Sequence, residues 1–143
     1  MAKTHFSNCY LAIDNAAGTP FDFTDYVEGI DINKSREELN RTYAGCVGRA
    51  RGAGLHDWEI TAYIWNDFAD DTVDETINGI VSAGTVVTVT FRPSSDAASA
   101  NNPEYAGEGI CLEHPIPLKM GEDNMLTITI RGADGAEMTR STS

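Results

Sequence analysis

The chain has 143 residues, of which 41% are hydrophobic, and this is enough for a single domain (1–143) whose core needs no disulfide or metal support. Its formal net charge is −12, from 22 acidic and 10 basic residues, which argues against a surface that binds nucleic-acid phosphates. No apolar run approaches the roughly 18 residues of a membrane helix. The first residues also lack a signal-peptide pattern, so we expect a protein made in a reducing cytosol.

The N-terminal third predicts two strands. After a loose leader at residues 1–7, apolar Cys9, Leu11 and Ile13 alternate with less apolar neighbours, which predicts a strand over residues 8–15. Turn residues follow at 15–20. An imperfect alternation then predicts a strand over residues 26–34, with a bulge at Gly29.

Residues 35–54 break this pattern, because they contain four glycines and few large apolar side chains. Such a stretch buries too little surface to offset its ordering entropy, so we expect a long mobile loop or a protruding hairpin. Loops of this length are usually functional. Half of the chain's basic residues cluster in or beside it: Lys34, Arg36, Arg41, Arg49 and Arg51.

Two interpretations of this basic stretch stay open. It is either a solvated loop or an arm that docks on an acidic surface, for which another copy of the same acidic chain is available. The second would give a heterologous, head-to-tail contact, which generates rings or stacked filaments.

The middle of the chain predicts a strand, a helix and a second strand. Trp58, Ile60, Ala62 and Ile64 alternate with polar residues over 56–65. A helix is expected at about 72–82, with Thr72 and Glu75 as a capping box and Gly84 ending it. Alternation resumes over residues 87–92.

The last elements are two strands, over residues 105–112 and 125–131, which we expect to pair at the centre of the fold. In the second, Leu126, Ile128 and Ile130 alternate with Thr127, Thr129 and Arg131, followed by a turn at 132–135. We therefore predict a mainly β protein: a two-sheet antiparallel sandwich or part-barrel with one short α-helix.

The sequence offers little for catalysis or ligand binding. Cys46, His56 and Asp57 could be imagined as nucleophile, base and orienting group, but no helix N-terminus or cationic site is predicted to activate Cys46. The three histidines lack metal-ligand spacing, and no phosphate-binding glycine motif follows a strand. We expect no catalytic residue, metal or cofactor, and free thiols at Cys9, Cys46 and Cys111.

The order of these segments resembles the tail tube (major tail) proteins of bacteriophages with long noncontractile tails. The similar segments are DFTDYVEGIDINKS, the loop GCVGRARGAG before DWEITAYIW, the acidic-capped helix, TVVTVTFRP, and the ending PEYAGEG with MLTITIRGADGAEMTR. They run through nearly the whole chain.

The resemblance implies a fold shared with the tube protein of type VI secretion, and no enzymatic activity. Six subunits would form a ring, and rings would stack into a tube that conducts DNA without binding it specifically. The long early loop would bridge rings and be mobile until assembly. The implied partners are other copies and other tail proteins (tape measure, tail terminator, tail tip), and the implied location is the virion tail, assembled in the host cytoplasm.

A DNA conduit should repel the phosphate backbone, so a lumen lined by carboxylates is expected. The candidates are acids on polar strand faces: Glu28, Asp31, Glu59, Glu108 and Glu113. The alternative for each is an outer, solvated face.

Two other functions remain open. One is a tail terminator or head–tail joining protein, which would form closed rings but no tube. The other is a small enzyme or ligand-binding β-domain that uses the 35–54 loop as a lid.

Overall fold

The computed structural model describes residues 8–133, 135 and 137–143, so the expected leader at 1–7 lies outside the described residues and the expected turn at 132–135 lies partly outside them. Within that part of the chain the strands are β1 (Tyr10–Asp14), β2 (Pro20–Asp22), β3 (Val27–Asn40), β4 (Arg51–Trp65), β5 (Val87–Arg92), β6 (Glu104–Cys111), β7 (Met125–Gly132) and β8 (Thr139–Ser141). The helix α1 (Val73–Ala83) lies between β4 and β5.

All of these strands pair antiparallel in one sheet, in the order β2-β1-β5-β6-β7-β4-β3, and β8 pairs with β6 beside the end of β7. The predicted mainly antiparallel β fold with one short helix is confirmed. The strands form one continuous sheet, and it does not close into a barrel.

The two edges of the sheet lie close together because the segment that joins them is short. β2 and β3 are the edge strands, and between them the amide of Val27 donates to the carbonyl of Phe23 at 3.0 Å. Phe21 of β2 stacks on Tyr26 with the ring centroids 6.3 Å apart. The sheet therefore curls around its own apolar face as an open part-barrel.

The core lies on the inner face of this curl. Ile60, Ala62 and Ile64 of β4 pair across to β7 and are almost fully buried, as the alternation predicted. Their partners on β7 are Ile130, Ile128 and Leu126. The helix covers this face with its own buried stripe of Val73, Ile77 and Ile80.

The helix begins and ends as predicted, but its N-terminal cap differs. Thr72 is the N-cap residue, yet its hydroxyl donates to the carbonyls of Asp67 and Ala69, and it makes no side-chain capping bond. The Glu75 carboxylate accepts from the amide of Asp71 at 2.8 Å. The reciprocal capping box is therefore wrong, because the Thr72 hydroxyl is occupied by the two carbonyls and Glu75 accepts from Asp71 instead of Thr72.

The strand predictions erred at the edges of the sheet. β2 and β8 have three residues each, too few for an alternation to be visible, and neither was predicted. The bulge expected near Gly29 is present as a register shift between Val27 and Gly29.

Candidate functional site

The most distinctive surface is a long hairpin that leaves the body of the sheet. β4 pairs with β7 only from Glu59 onward, whereas its pairing with β3 continues to Asn40 and Arg51. We call residues 35–57 the arm and residues 41–50 its tip. Since Arg51 lies eight residues before Glu59, the ladder extends about 25 Å beyond the sheet at roughly 3.3 Å per residue.

The loop predicted over residues 35–54 is therefore shorter in the structure. Residues 35–40 and 51–54 belong to β3 and β4, which corresponds to the protruding hairpin that the sequence left open as an alternative. Alternation is hard to see here because both faces of a two-stranded arm are exposed, so no face selects apolar residues.

A charged cluster holds the base of the arm to the body. Lys34 lies opposite Trp58, and its Nζ is 3.2 Å from Glu137 Oε1, while His56 Nε2 is 3.5 Å from Glu137 Oε2. The Arg36 guanidinium donates to the His56 ring. The hydrogen bond from Lys34 and, second to it, the charge of His56 hold the pKa of Glu137 below its ordinary value.

Beyond that cluster the arm is supported by its own contacts. Arg51 Nε is 2.6 Å from Glu38 Oε1 across the ladder, and Arg41 lies over Gly52, where an added Cβ would be 2.5 Å from the guanidinium. In the tip, the Ala50 amide donates to the Thr42 hydroxyl at 2.9 Å. A two-stranded hairpin with no further packing is marginally stable in water, and the outer part of the arm has only its own contacts.

The five basic residues that the sequence analysis assigned to a possible docking arm lie in two separate groups. Lys34 and Arg36 belong to the base cluster, and Lys34 points to the core side of the sheet, so they are not on a free loop. Arg41, Arg49 and Arg51 gather at the end of the arm. Residues 41–51 carry these three positive charges and no acidic residue.

Three of the predicted acids share the sheet face opposite the core, which we call the polar face. Asp31, Glu59 and Glu108 lie there, at strand positions that alternate with buried residues. Tyr63 donates to Asp31 Oδ2 at 3.1 Å, which raises the pKa of Tyr63. Glu59 faces Arg131, whose Nε lies 3.2 Å from Glu59 Oε2.

The other two acids are placed differently. Glu28 lies in the bulge at the start of β3, out of regular register. Glu113 was predicted on a strand, but β6 ends at Cys111 and Glu113 belongs to the segment that follows. Pro115 and Pro117 prevent that segment from continuing the ladder.

Sequence reasoning missed this segment, residues 112–124, which we call the connector. Four of its large apolar residues are exposed: Leu112, Ile116, Leu118 and Met120. It borders an open cavity of about 390 Å³ lined by Trp65, Pro117, Lys119, Glu122, Asp123 and Met125. The visible signal was three apolar residues spaced two apart, Ile116, Leu118 and Met120, a pattern that indicates an extended segment without saying which side is covered.

The groups weighed for catalysis are not brought together as a site. Cys46 lies in the tip, where its Sγ accepts from the Tyr43 amide at 3.5 Å, whereas His56 is engaged by Arg36 and Glu137 at the arm base. Burial raises the pKa of the Cys9 and Cys111 thiols. In the described part of the chain, no three His, Cys, Asp or Glu side chains cluster so as to hold a metal ion, and none of its helices is long and apolar enough to cross a membrane.

Known structures match this architecture over almost its full length. A chain from the tail of an empty GTA particle, determined with helical refinement and C6 symmetry, superposes with a TM-score of 0.72 at 14% identity, covering 99% of both chains. The protein described here therefore has the same fold as that GTA tail chain. A chain from the virion of a native gene transfer agent (GTA) particle gives a TM-score of 0.69 at 14% identity, covering 96% of this chain and 99% of that one.

The fold also occurs in a baseplate. A chain from the anti-feeding prophage (AFP) baseplate, 6-fold symmetrised, gives a TM-score of 0.61 at 12% identity, covering 98% of this chain and 97% of that one. No family model matches the sequence, and no curated protein sequence matches it significantly. At these identities the comparisons establish the fold.

Proposed function

We propose that this chain is a structural subunit of the tail of a phage-like particle, which assembles into six-membered rings that stack into a tube. The observation that carries the proposal is the arm: a ladder of about 25 Å that leaves the sheet with both faces open. A structure of this kind gains stability when a neighbouring subunit covers it. The shared fold with a chain from a C6-symmetric tail supports the same assignment.

The tube would conduct DNA along the polar face. Asp31 and Glu108 leave this face with negative charge even though Glu59 is opposed by Arg131. Carboxylates on the wall repel the phosphate backbone, so DNA would pass without specific binding. Reversing the charge of Asp31 and Glu108 to lysine should leave tubes intact and slow DNA release; unchanged release kinetics would contradict this lining.

The remaining elements of the proposal follow from a role in assembly. The subunit would be made in the host cytoplasm and reside in the virion tail, and its partners would be other copies of itself and other tail proteins. Its role would be structural, and it would have no catalytic centre. The relation to noncontractile tails and to the type VI secretion tube stays a prediction from the sequence resemblance.

Negative-stain electron microscopy of the purified chain, across a range of concentrations, tests the proposal. Long hollow tubes with six-fold end views are expected. Isolated rings that never stack would instead favour a terminator, joining or baseplate-type ring protein. Monomers at every concentration, even with seeds of assembled tail, would refute the assembly role.

A second variant links assembly to the arm. Replacing residues 41–50 by Asn-Gly joins Asn40 to Arg51, which are already paired, through the two-residue turn that suits a hairpin. The body should keep its circular dichroism spectrum and thermal transition, but tubes should be absent. Tubes formed by this shortened chain would show that the tip is dispensable.

A further inference from the structure

We infer that the arm end of one copy docks on the connector and the cavity beside it on a second copy, at the opposite end of the subunit. This inference rests on the proposed assembly function and names the two surfaces that meet. Six of the ten large hydrophobic residues exposed in the described part of the chain lie on these two surfaces. On the arm end they are Tyr43 and Val47, and on the connector Leu112, Ile116, Leu118 and Met120.

The charges of the two surfaces are complementary. Residues 41–51 carry three arginines and no acid, a formal charge of +3 in a chain whose total is −12. The connector carries Glu113, Glu122 and Asp123 against Lys119, a formal charge of −2. An acidic subunit with one basic end is attracted by that end to its neighbours and repelled elsewhere.

The arm end combines its charge with apolar surface. Tyr43 is 70% exposed and Val47 is fully exposed in the tip, next to Arg41 and Arg49. Among the described residues, no ion pair involves either of these two arginines, whereas Arg51 is held by Glu38. The end of the arm therefore presents free cations around an apolar centre, the composition of an interface hot spot.

The connector offers the matching receptor. Leu118 is 64% exposed and Met120 fully exposed, and beside them the cavity of about 390 Å³ has Trp65 and Met125 in its lining. Glu122 and Asp123 also line this cavity. A cavity of this volume can receive a side chain such as Tyr43, with the Glu122 and Asp123 carboxylates in its lining.

The arm end and the cavity lie at opposite ends of one strand. β4 begins at Arg51 in the arm and ends at Trp65 beside the cavity, so about 45 Å of extended chain separates them. A subunit cannot bring its own arm end to its own cavity without unpairing β4. The contact must therefore join two copies, and a contact between unlike surfaces at opposite ends repeats without closing on itself, as stacking requires.

Cys46 provides a native probe for this contact. It is partly exposed in the tip, whereas Cys9 and Cys111 are buried. A maleimide–benzophenone reagent attached at Cys46 is activated by light in a mixture of ¹⁵N-labelled and unlabelled full-length chains, and cross-linked peptides are mapped by mass spectrometry. We expect heavy–light cross-links from Cys46 to residues 112–125. Cross-links that join Cys46 to other surfaces, or only within one copy, would overturn the inference.

Charge reversal gives an independent measurement. In Arg41→Glu/Arg49→Glu, the yield of these cross-links should fall by at least about tenfold, because like charges then face each other. Adding Glu122→Lys/Asp123→Lys to the same chain should restore the yield to within about threefold. Arg140→Glu, an exposed cation on β8, is the matched control and should leave the yield unchanged. Failure of the combined variant to recover, with its fold intact, would contradict the pairing.

Electron microscopy of the same samples separates this inference from the proposed function. Tubes in which Cys46 is cross-linked to surfaces other than the connector would support the proposed tail function and refute the contact between arm end and connector. Cross-links to the connector without tubes would support the contact and count against the tube. The absence of both tubes and cross-links would refute both.

Discussion

Trp58 lies directly against Gly109, so that a Cβ added at Gly109 would stand 2.7 Å from the indole Cη2 and 2.7 Å from the backbone oxygen of Arg131. Gly107 and Gly132 meet the same ring. Three glycines on two neighbouring strands thus leave room for the indole ring of Trp58, at the point where the arm leaves the body.

Gly109→Ala should therefore destabilise the protein. The contact includes backbone atoms, which cannot move aside as a flexible side chain does, so we expect a loss of about 1–3 kcal/mol in the free energy of unfolding, typical of overpacking. Denaturant titration followed by tryptophan fluorescence measures it. Gly48→Ala in the tip, where an added Cβ meets nothing within 4 Å, is the control and should be near neutral. Equal stability of the two variants would contradict the close packing of Trp58 on Gly109.

Asn102 should be a structural clamp for the loop between β5 and β6. Its side-chain oxygen accepts from the Ser94 amide at 2.9 Å, and its amide donates to the Asp96 carbonyl at 2.9 Å. Asn102→Ala removes both of these part-buried hydrogen bonds, and at about 0.5–1.5 kcal/mol each it should cost about 1–3 kcal/mol. Asn101→Ala changes the exposed neighbour and should cost little. Thermal unfolding of the pair gives the comparison, and equal transitions would contradict the clamp.

In a thiol titration, one of the three cysteines should react much faster than the other two. Burial raises the pKa of Cys9 and Cys111 and also blocks access, so both should react with an aromatic disulfide only after local opening. Cys46 in the tip should react first, and Cys46→Ser should remove the fast phase. Protection of Cys46 on assembly is expected as well. A fast phase that survives Cys46→Ser would contradict this ordering.

Glu137 should make the base of the arm sensitive to acid. Its pKa is lowered in the folded protein, chiefly by the hydrogen bond from Lys34 and then by the charge of His56. The ionised carboxylate therefore stabilises the folded state at pH values above the ordinary glutamate pKa. That contribution is lost as the pH falls through the lowered pKa. In Glu137→Gln the free energy of unfolding should decrease less steeply between about pH 5 and pH 3 than in the unsubstituted chain.

Glu122→Gln, an exposed carboxylate of the connector, is the matched control for this acid effect. Its pH profile should follow that of the unsubstituted protein. Identical profiles for all three proteins would show that the cluster at the arm base does not couple to folding.

The sequence predicted the elements that have one buried face. β4, β5 and β7 and the helix were found within a few residues because burial on one side imposes an alternation or a helical stripe on the chain. The arm lacks such a side, so its strands read as a loop. β2 and β8 have three residues each and are held by partners distant in sequence, which a local pattern does not show.

The candidate site was predicted in part. Clustering of arginines pointed to the stretch that forms the arm end, whereas Lys34 and Arg36 lie at the arm base, where Lys34 contacts Glu137. The connector was not singled out from the sequence, since only the fold reveals that its apolar residues stay uncovered. The roles of the arm and of the acids remain predictions for the experiments above.

β4 runs without interruption from the arm to the cavity at the other end of the subunit. Its hydrogen bonds to β3 and β7 lie across the strand, so a pull along β4 loads them in shear and they share the force. A ladder pulled from one end would open bond by bond at a much lower force. In a column of subunits joined arm to cavity, tension would therefore pass through the strongest direction of the sheet.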